Sequence, residues 1–272
     1  MSSPTETRPR WAPAPLIYAS AALHAGAAVA TLVSPPLWPW TLGAVALNHA
    51  ALTGAGLWPK SRWLGPNWIR LPAAATARRE VAITIDDGPD PEVTPRVLSL
   101  LGVYGARATF FCVGERVERH PELAREIVRL GHAVENHSQR HRHAFSLMGP
   151  GRIEREILEA QRSIAGVTGQ SPGFFRAPAG LRNPFLDPVL SRHGLRLVTW
   201  THRGFDTVTG DSDQVYGRLS RSLQAGDILL LHDGHAARGR LGTPVIVEVL
   251  PRLLETLRDR QLEPVTLRAA AA

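Results

Sequence analysis

Two adjacent carboxylates stand where an apolar run of the sequence ends. Asp86 and Asp87 follow residues 83–85 (ITI) and precede residues 88–90 (GPD). Because adjacent side chains at the end of a strand point in different directions, one carboxylate can bind a cation while its neighbour stays free as a base. The other interpretation is a strand-ending turn, since Asp-Gly-Pro is strong turn chemistry. This motif alone leaves both interpretations open.

Two histidines four residues apart form a second motif, in residues 137–141 (HSQRH). His137 and His141 would lie on one helical face or in one tight loop, close enough to share a metal ion. Asp87 as third ligand would complete a set of two histidines and one carboxylate, which leaves coordination positions open for water and a substrate oxygen. Alternatively, these histidines and His143 are a solvated cluster in a polar loop.

Arg176 follows the apolar pair at residues 174–175 (FF). An isolated positive charge beside a predicted core requires an anionic partner, and Asp86 is the natural candidate. A guanidinium can hold a carboxylate by a two-pronged hydrogen bond that keeps it ionised and oriented. The alternative is a structural ion pair at the rim of a barrel.

His232 ends the apolar run at residues 228–231 (ILLL). A histidine that changes charge near physiological pH suits a general acid, although a lone histidine at the end of a strand is more often structural. Asp206 ends residues 200–206 (WTHRGFD). Taken alone it indicates little, because most single aspartates in loops are solvated.

The segments that must position these residues alternate between strand and helix patterns. Strands are predicted at residues 81–86, 107–112, 132–137, 173–177, 196–201, 227–232 and 262–267. Apolar residues at three- and four-residue spacing predict helices at residues 92–104, 120–130, 152–167, 184–193, 214–224 and 246–260. This alternation predicts an α/β fold with a parallel sheet, open or closed into a barrel.

Six polar residues lie at or just beyond the ends of predicted strands: Asp86, Asp87, His137, Arg176, Asp206 and His232. The carboxyl ends of parallel strands in a barrel meet on one face, where active sites form. We therefore expect these side chains to meet in one cleft.

The first 59 residues have a different character. Residues 11–59 contain no Asp, Glu, Lys or Arg, and the apolar stretches 16–33 and 41–58 each have about the length that a membrane-spanning helix needs. Residues 34–40 (SPPLWPW) hold prolines, which stop a helix, and tryptophans, which suit a membrane interface. We predict a membrane hairpin of two apolar helices; a signal peptide or an amphipathic pair on the surface are the alternatives.

The predicted organisation is a basic tail at residues 1–10, the hairpin at 11–59, a linker at 60–79 and the α/β domain at 80–272. Residues 1–80 carry seven basic and two acidic side chains, and the rest of the chain carries 24 basic and 22 acidic ones. Because the α/β domain is nearly balanced in charge, we expect no nucleic-acid partner. The single Cys112 excludes an internal disulfide framework.

Basic residues flank the apolar stretches: Arg8 and Arg10 on one side, Lys60, Arg62 and Arg70 on the other. Such residues accumulate on the cytoplasmic flanks of spanning helices. Two crossings would therefore place the α/β domain on the cytoplasmic face of the cell membrane. A single signal-anchor at residues 16–33 would instead export it.

Five segments in order resemble the motifs of the polysaccharide deacetylases with a NodB-type domain, carbohydrate esterase family 4: residues 84–90, 137–141, 176–180, 200–206 and 230–232. The resemblance covers about residues 80–268 and leaves the hairpin outside. It implies a distorted (β/α)7 barrel of the NodB type, which matches the seven predicted strands.

The resemblance also implies a metal-dependent hydrolase. By their positions in the motifs, Asp87, His137 and His141 would bind zinc or a similar divalent ion, which would polarise an amide carbonyl and activate water. No nucleotide cofactor is implied, and residues 80–272 have no phosphate-cradling glycine loop.

The remaining motif residues would move and hold protons. Asp86 would be the general base, oriented by Arg176, and His232 the general acid, with Asp206 as a supporting carboxylate. The family often has tryptophan directly after the Asp206 position, where this chain has Thr207. The resemblance therefore does not imply the family's hydrophobic wall of the acyl pocket for this chain, whereas all the residues of its metal site are present.

The implied activity is hydrolysis of an N-acyl amide, N-acetyl first of all, on an amino sugar of a poly- or oligosaccharide. The predicted hairpin favours a second substrate, a lipid-linked amino sugar that is deacetylated or deformylated beside the membrane. A third interpretation is an inactive carbohydrate-binding homologue. The complete set of motif residues argues against it.

Overall fold

The computed structural model describes residues 11–272, so the predicted basic tail at residues 1–10 lies outside the described residues. Two helices form a hairpin at its start: α1 (Pro15–Val33) and α2 (Trp38–Leu57), joined by a 3-10 turn at Pro35–Leu37. Proline stands in the first turn of each helix, where its missing N–H breaks no helical hydrogen bond.

Polar side chains of the two helices face each other in three pairs: Ser20–Asn48 at 2.9 Å, His24–His49 at 3.3 Å and Thr31–Thr41 at 2.8 Å. Large apolar side chains on the outside of both helices are exposed, among them Leu32 and Leu47 at 82% and 72%. Among residues 11–272, α1 is the one helix long and apolar enough to cross a membrane, judged by length and composition.

The rest of the chain builds a curled parallel sheet covered by helices. The strands are β1 (Glu80–Asp86), β2 (Ala108–Cys112), β3 (Ala133–Asn136), β4 (Phe174–Phe175), β5 (Arg196–Leu197), β6 (His202–Arg203), β7 (Ile228–His232) and β8 (Glu263–Pro264). The helices are α3 (Ala73–Ala77), α4 (Thr94–Val103), α5 (Gly114–Arg119), α6 (Pro121–Arg129), α7 (Pro150–Thr168), α8 (Leu186–Arg192), α9 (Ser212–Ser220), α10 (Val245–Asp259) and α11 (Leu267–Ala271).

The strand order is β5-β4-β3-β2-β1-β7-β6, and β8 pairs with the start of β1. This arrangement confirms the predicted distorted (β/α)7 barrel preceded by an apolar helical hairpin. The helices α3, α5 and α11 were not predicted, because five or six residues are too few to show a helical periodicity.

The strand predicted at residues 196–201 is shorter in the structure, and a separate short strand, β6, begins directly after the predicted range. β5 ends at Leu197, and β6 pairs with β7 at the opposite edge of the sheet. The predicted linker at residues 60–79 packs into the gap between these edges: Trp68 N donates to Leu197 O at 2.9 Å, and Leu71 N donates to Gly226 O at 2.8 Å. These residues therefore help to close the barrel.

The two-residue alternation of β1 explains how a carboxylate comes to lie inside the barrel. Val81, Ile83 and Ile85 pack into the main hydrophobic core with α4 and α10. Thr84 and Asp86 point to the opposite face, because successive side chains of a strand alternate. Each buried aliphatic side chain contributes about 1.5–3 kcal/mol to folding, so the core fixes the register that directs Asp86 inward.

Candidate active site

A cleft of about 540 Å³ opens at the carboxyl ends of the strands. Four of the six predicted polar residues line it: Asp86, Asp87, His137 and His232. The other two, Arg176 and Asp206, are fully buried and contact lining residues from behind. His141, the second histidine of its motif, also lines the cleft.

Asp86 is the last residue of β1, and the register of the sheet pairs it with His232 on β7. Its Oδ1 atom accepts a hydrogen bond of 2.6 Å from Arg176 Nη1, and its Oδ2 atom lies 3.8 Å from His137 Nε2. Asp86 is 3% exposed. A buried carboxylate with one oxygen held by a cation keeps the other oxygen available to accept a proton.

Arg176 does not form the expected two-pronged hydrogen bond with Asp86. Only Nη1 reaches the carboxylate, and it also donates to Thr84 Oγ1 at 2.8 Å. Nε and Nη2 donate instead to the carbonyl oxygens of Val198 and Thr199, at 3.3 and 2.8 Å. The guanidinium therefore ties the segment after β5 to β1, in addition to orienting the carboxylate.

Three potential metal ligands meet beside Asp86: Asp87 Oδ1, His137 Nε2 and His141 Nε2 lie within 4.8 Å of one another. Asp87 Oδ1 is 3.3 Å from the first histidine nitrogen and 3.2 Å from the second. It is nevertheless buried without a hydrogen-bond partner. A buried anionic oxygen without a donor is costly, and a cation between these three atoms would satisfy it.

The tautomer of His137 fits the same interpretation. Its Nδ1 lies 2.8 Å from the carbonyl oxygen of Arg176, so Nδ1 carries the proton and Nε2 offers its lone pair to the cluster. Burial lowers the pKa of His141 to about 4, which leaves its ring neutral. Burial alone would raise the pKa of Asp87, but its histidine neighbours outweigh burial and hold this pKa well below its usual range.

His232 is paired with Asp206. Asp206 Oδ1 lies 2.8 Å from His232 Nδ1, and Asp206 Oδ2 accepts the backbone N–H of the same histidine at 2.7 Å. Burial would lower the pKa of His232, but the charge of Asp206 and its hydrogen bond outweigh burial and raise the pKa to about 9. His232 is therefore protonated at neutral pH, with Nε2 left to face the cleft.

This pair predicts a change in pH dependence for Asp206→Asn. The acid form of His232 exists below its pKa, so turnover by the wild type should fall as pH rises through about 9. Without the charge of Asp206 the pKa of His232 falls. For each pKa unit of that fall, the fraction of protonated His232 at alkaline pH decreases about tenfold. We expect the alkaline limb of the kcat profile to move to lower pH. An unmoved limb would show that His232 is not the acid.

The loop that carries Asp87 is held by a buried acid that the sequence did not single out. Asp233 accepts hydrogen bonds from Thr94 Oγ1 and from Gly234 N, and burial raises its pKa to about 7. A Cβ atom at position 88 would lie 2.4 Å from Asp233 Oδ2. Gly88 is therefore required by close packing against Asp233.

Among the cleft residues that the sequence analysis did not assign are Arg116, Arg119, Arg203 and His235. His235 Nδ1 lies 3.4 Å from Asp87 Oδ2, and its Nε2 lies 3.0 Å from Arg116 Nη2. The three-residue spacing from His232 was visible in the sequence and was the available signal. Arg203 lies within the motif at residues 200–206, but the residue type alone does not show that it faces the cleft.

Together, the curled parallel sheet and the carboxylate–histidine cleft at its carboxyl edge define a (β/α)7-barrel hydrolase. The sequence model of the family described as "Polysaccharide deacetylase" matches residues 73–198. A peptidoglycan-N-acetylglucosamine deacetylase of Bacillus cereus is 34% identical over 175 residues, which are 64% of this chain and 81% of that protein. A chitooligosaccharide deacetylase of Sinorhizobium fredii is 33% identical over 196 residues, 70% of this chain and 91% of that protein.

Among solved structures, a family 4 carbohydrate esterase from Streptomyces lividans, in complex with acetate, is similar with a TM-score of 0.62 and 33% identity. The match covers 68% of this chain and 91% of that chain. The chain belongs to the polysaccharide deacetylase family, as its motifs predicted. It is a hydrolase of carbon–nitrogen amide bonds.

Proposed function

We propose that the protein removes acetyl groups from N-acetylglucosamine units of an oligosaccharide or of peptidoglycan. The observation that carries the proposal is the pairing of Asp86 with His232 on adjacent strands, beside the buried cluster around Asp87. A base and an acid on two sides of one cleft are what amide hydrolysis needs. The similar proteins named for these two substrates support the same class. The complete cleft favours an active enzyme over an inactive carbohydrate-binding homologue.

We propose that Asp87, His137 and His141 hold a divalent ion, with Zn²⁺ favoured by the two imidazole ligands. The orphaned Asp87 Oδ1 atom and the tautomer of His137 support this ligand set. When bound, the ion would polarise the acetyl carbonyl and increase the acidity of water.

Two residues of the chain carry out the proton transfers, one as the base and the other as the acid. Asp86, held by Arg176, takes a proton from the water molecule that attacks the acetyl carbonyl. His232, kept protonated by Asp206, gives its Nε2 proton to the sugar nitrogen as the carbon–nitrogen bond breaks. Without that proton the amine would be a poor leaving group. The products are acetate and the free amino sugar.

The family often has a tryptophan where this chain has Thr207, and two other residues can form the apolar wall of the acyl pocket instead: Trp200 and Leu230. Both line the cleft, together with Thr207. Trp200 is only 5% exposed and packs against Gly180, where a Cβ atom would lie 2.5 Å from its ring. We therefore assign the apolar wall for the acetyl methyl group to Trp200 and Leu230.

The test is the release of acetate from N,N′,N″-triacetylchitotriose and from peptidoglycan fragments by the purified full chain. We expect one free amine to form for each acetate released. Absence of both products, with the protein folded and supplied with Zn²⁺, would contradict the proposal.

We propose further that the hairpin anchors the enzyme in the cell membrane, with the barrel on the cytoplasmic side. Assembled peptidoglycan is absent from that side, so this orientation favours an oligosaccharide or a lipid-linked precursor over peptidoglycan as the substrate. The buried Ser20–Asn48 pair and the partly buried Thr31–Thr41 pair support joint insertion, because they turn polar groups toward the partner helix. Basic residues lie on both outer flanks of the hairpin, and the connecting residues 34–40 carry no charge. The barrel would then comprise residues 80–272 and the packed segment 60–79.

Reporter fusions after Ala272 test this orientation. A fluorescent protein that folds in the cytoplasm should glow, and a phosphatase that is active only after export should be silent. An active phosphatase would favour a single crossing by α1 with an exported barrel.

A further inference from the structure

The wall of the cleft carries arginines without acidic partners. Among the described residues, no carboxylate oxygen lies within 4.0 Å of Arg116, Arg119 or Arg203, all of which line the cleft. Arg140, by contrast, pairs with three glutamates. The unpaired arginines give the cleft an excess of positive charge, which attracts anions. A neutral chitooligosaccharide does not use this charge.

Arg203 is the most informative of these residues. Its Nε atom is buried without a hydrogen-bond partner. Its guanidinium lies over the rings of Trp200 and Phe205, at 5.4 and 4.8 Å from their centres, so it is held in place by stacking. Because Nε is buried, a phosphate in the cleft would contact the Nη atoms of Arg203, whose N–H groups match two phosphate oxygens.

The same wall contacts the base of the hairpin. Lys60 Nζ, three residues after the end of α2, donates to Thr201 O at 2.6 Å. Arg182 N donates to Gly56 O at 3.1 Å. Arg203 is two residues beyond Thr201, so the unpaired guanidinium lies on the side of the cleft where the hairpin joins the barrel.

Two aromatic residues mark this junction. Trp58 and Trp63 are 54% and 58% exposed, and their rings meet edge to face at 6.5 Å. Exposed tryptophans beside apolar helices suit the level of the lipid headgroups. A membrane that holds the hairpin would therefore lie close to the arginine side of the cleft.

We infer that the enzyme's substrate is an amino sugar joined through a phosphate group to a membrane lipid, with Arg203 binding the phosphate. This inference rests on the proposed deacetylase function and names the carrier of the sugar. The hairpin brings the cleft to the lipid, the phosphate occupies the arginine side, and the acetamido group reaches Asp86 and His232. The reaction must then follow a step that transfers N-acetylglucosamine phosphate to a lipid.

Three substrates test the inference with the full chain in phosphatidylcholine vesicles: polyprenyl-diphosphate-linked N-acetylglucosamine, soluble N-acetylglucosamine 1-phosphate, and neutral triacetylchitotriose. We expect kcat/KM to be highest for the lipid-linked sugar, at least about tenfold above the neutral one, because a charge-assisted hydrogen-bond pair contributes that much. Arg203→Gln should reduce the ratio of kcat/KM for the lipid-linked sugar to kcat/KM for the neutral one about tenfold, mainly by raising KM for the lipid-linked sugar. Arg203→Lys, which keeps the charge without the fork, should reduce it less.

Arg221→Gln is the matched control, since Arg221 is exposed at the end of α9 and does not line the cleft. It should leave the ratio unchanged. Equal ratios in wild type and Arg203→Gln would overturn the phosphate assignment, and equal rates for the soluble and lipid-linked phosphates would overturn the lipid assignment. In both cases deacetylation of triacetylchitotriose leaves the proposed function standing. No turnover of any of the three substrates overturns the proposed function and this inference together.

Discussion

Asp86→Asn is expected to retain the metal ion and the fold but to lose turnover by about 10³-fold. The amide side chain is nearly isosteric with the carboxylate and can still contact Arg176 Nη1 through its oxygen. It cannot accept the proton of the attacking water. Steady-state release of acetate gives the rate, and elemental analysis of the dialysed protein gives the metal content.

Thermal unfolding distinguishes this effect from a loss of structure. In the variant Arg176 should keep its contacts to Thr84, Val198 and Thr199, but its buried charge loses its anionic partner. We therefore expect a folded barrel with a lower melting temperature than that of the wild type. A variant with wild-type turnover would mean that the base is another residue, and the assignment of Asp86 would be wrong.

His137→Ala is expected to lose metal and activity together. The substitution removes one of three proposed ligands, and even a residue that only supports a ligand contributes about 10- to 100-fold to metal affinity. His141→Ala should have the same effect with less disturbance of the core, because the His141 side chain is 21% exposed and that of His137 only 2%. Occupancy is measured by titration of the apo protein with Zn²⁺.

His143→Ala is the matched control for both variants. His143 belongs to the same loop, and its ring lies 6.4 Å from that of His141, but it is not part of the three-ligand cluster. It should bind Zn²⁺ as the wild type does. Full occupancy in His137→Ala would rule out the proposed ligand set.

The sequence was sufficient to predict which polar residues meet. Asp86 and His232 are far apart in the chain, but each ends a short apolar run, and in a parallel barrel such ends converge. The register that pairs them was not needed for this prediction. The placement of Arg176 behind Asp86 followed in the same way, because a buried cation needs a nearby anion.

The partners of each side chain were harder to predict. Asp206 alone indicated little, and only the motif resemblance gave it a supporting role; in the structure it is fully buried against His232. Arg176 bonds Asp86 through one nitrogen, because two carbonyl groups from the segment after β5 take its other donors. Such contacts depend on how loops cross the barrel, and residue types with their spacing do not encode that path locally.

The early end of the fifth strand has the same origin. Residues 196–201 have the apolar character of one strand, and the pattern predicts a single element. In the barrel, β5 and β6 lie at opposite edges of the sheet, and residues 60–79 occupy the space between them. Residues 60–79 have the composition of a linker, but they pack into the barrel because the curled sheet leaves a gap between its edge strands.

The most direct test of the central claim is the stoichiometry of products from triacetylchitotriose, measured side by side for the wild type and Asp86→Asn with Zn²⁺ present. Acetate is quantified enzymatically, and the new amine is detected by mass spectrometry. The proposed function predicts equal amounts of acetate and free amine from the wild type and about 10³-fold less of both from the variant. Equal product formation by the two proteins, or none by the folded wild type, would contradict it.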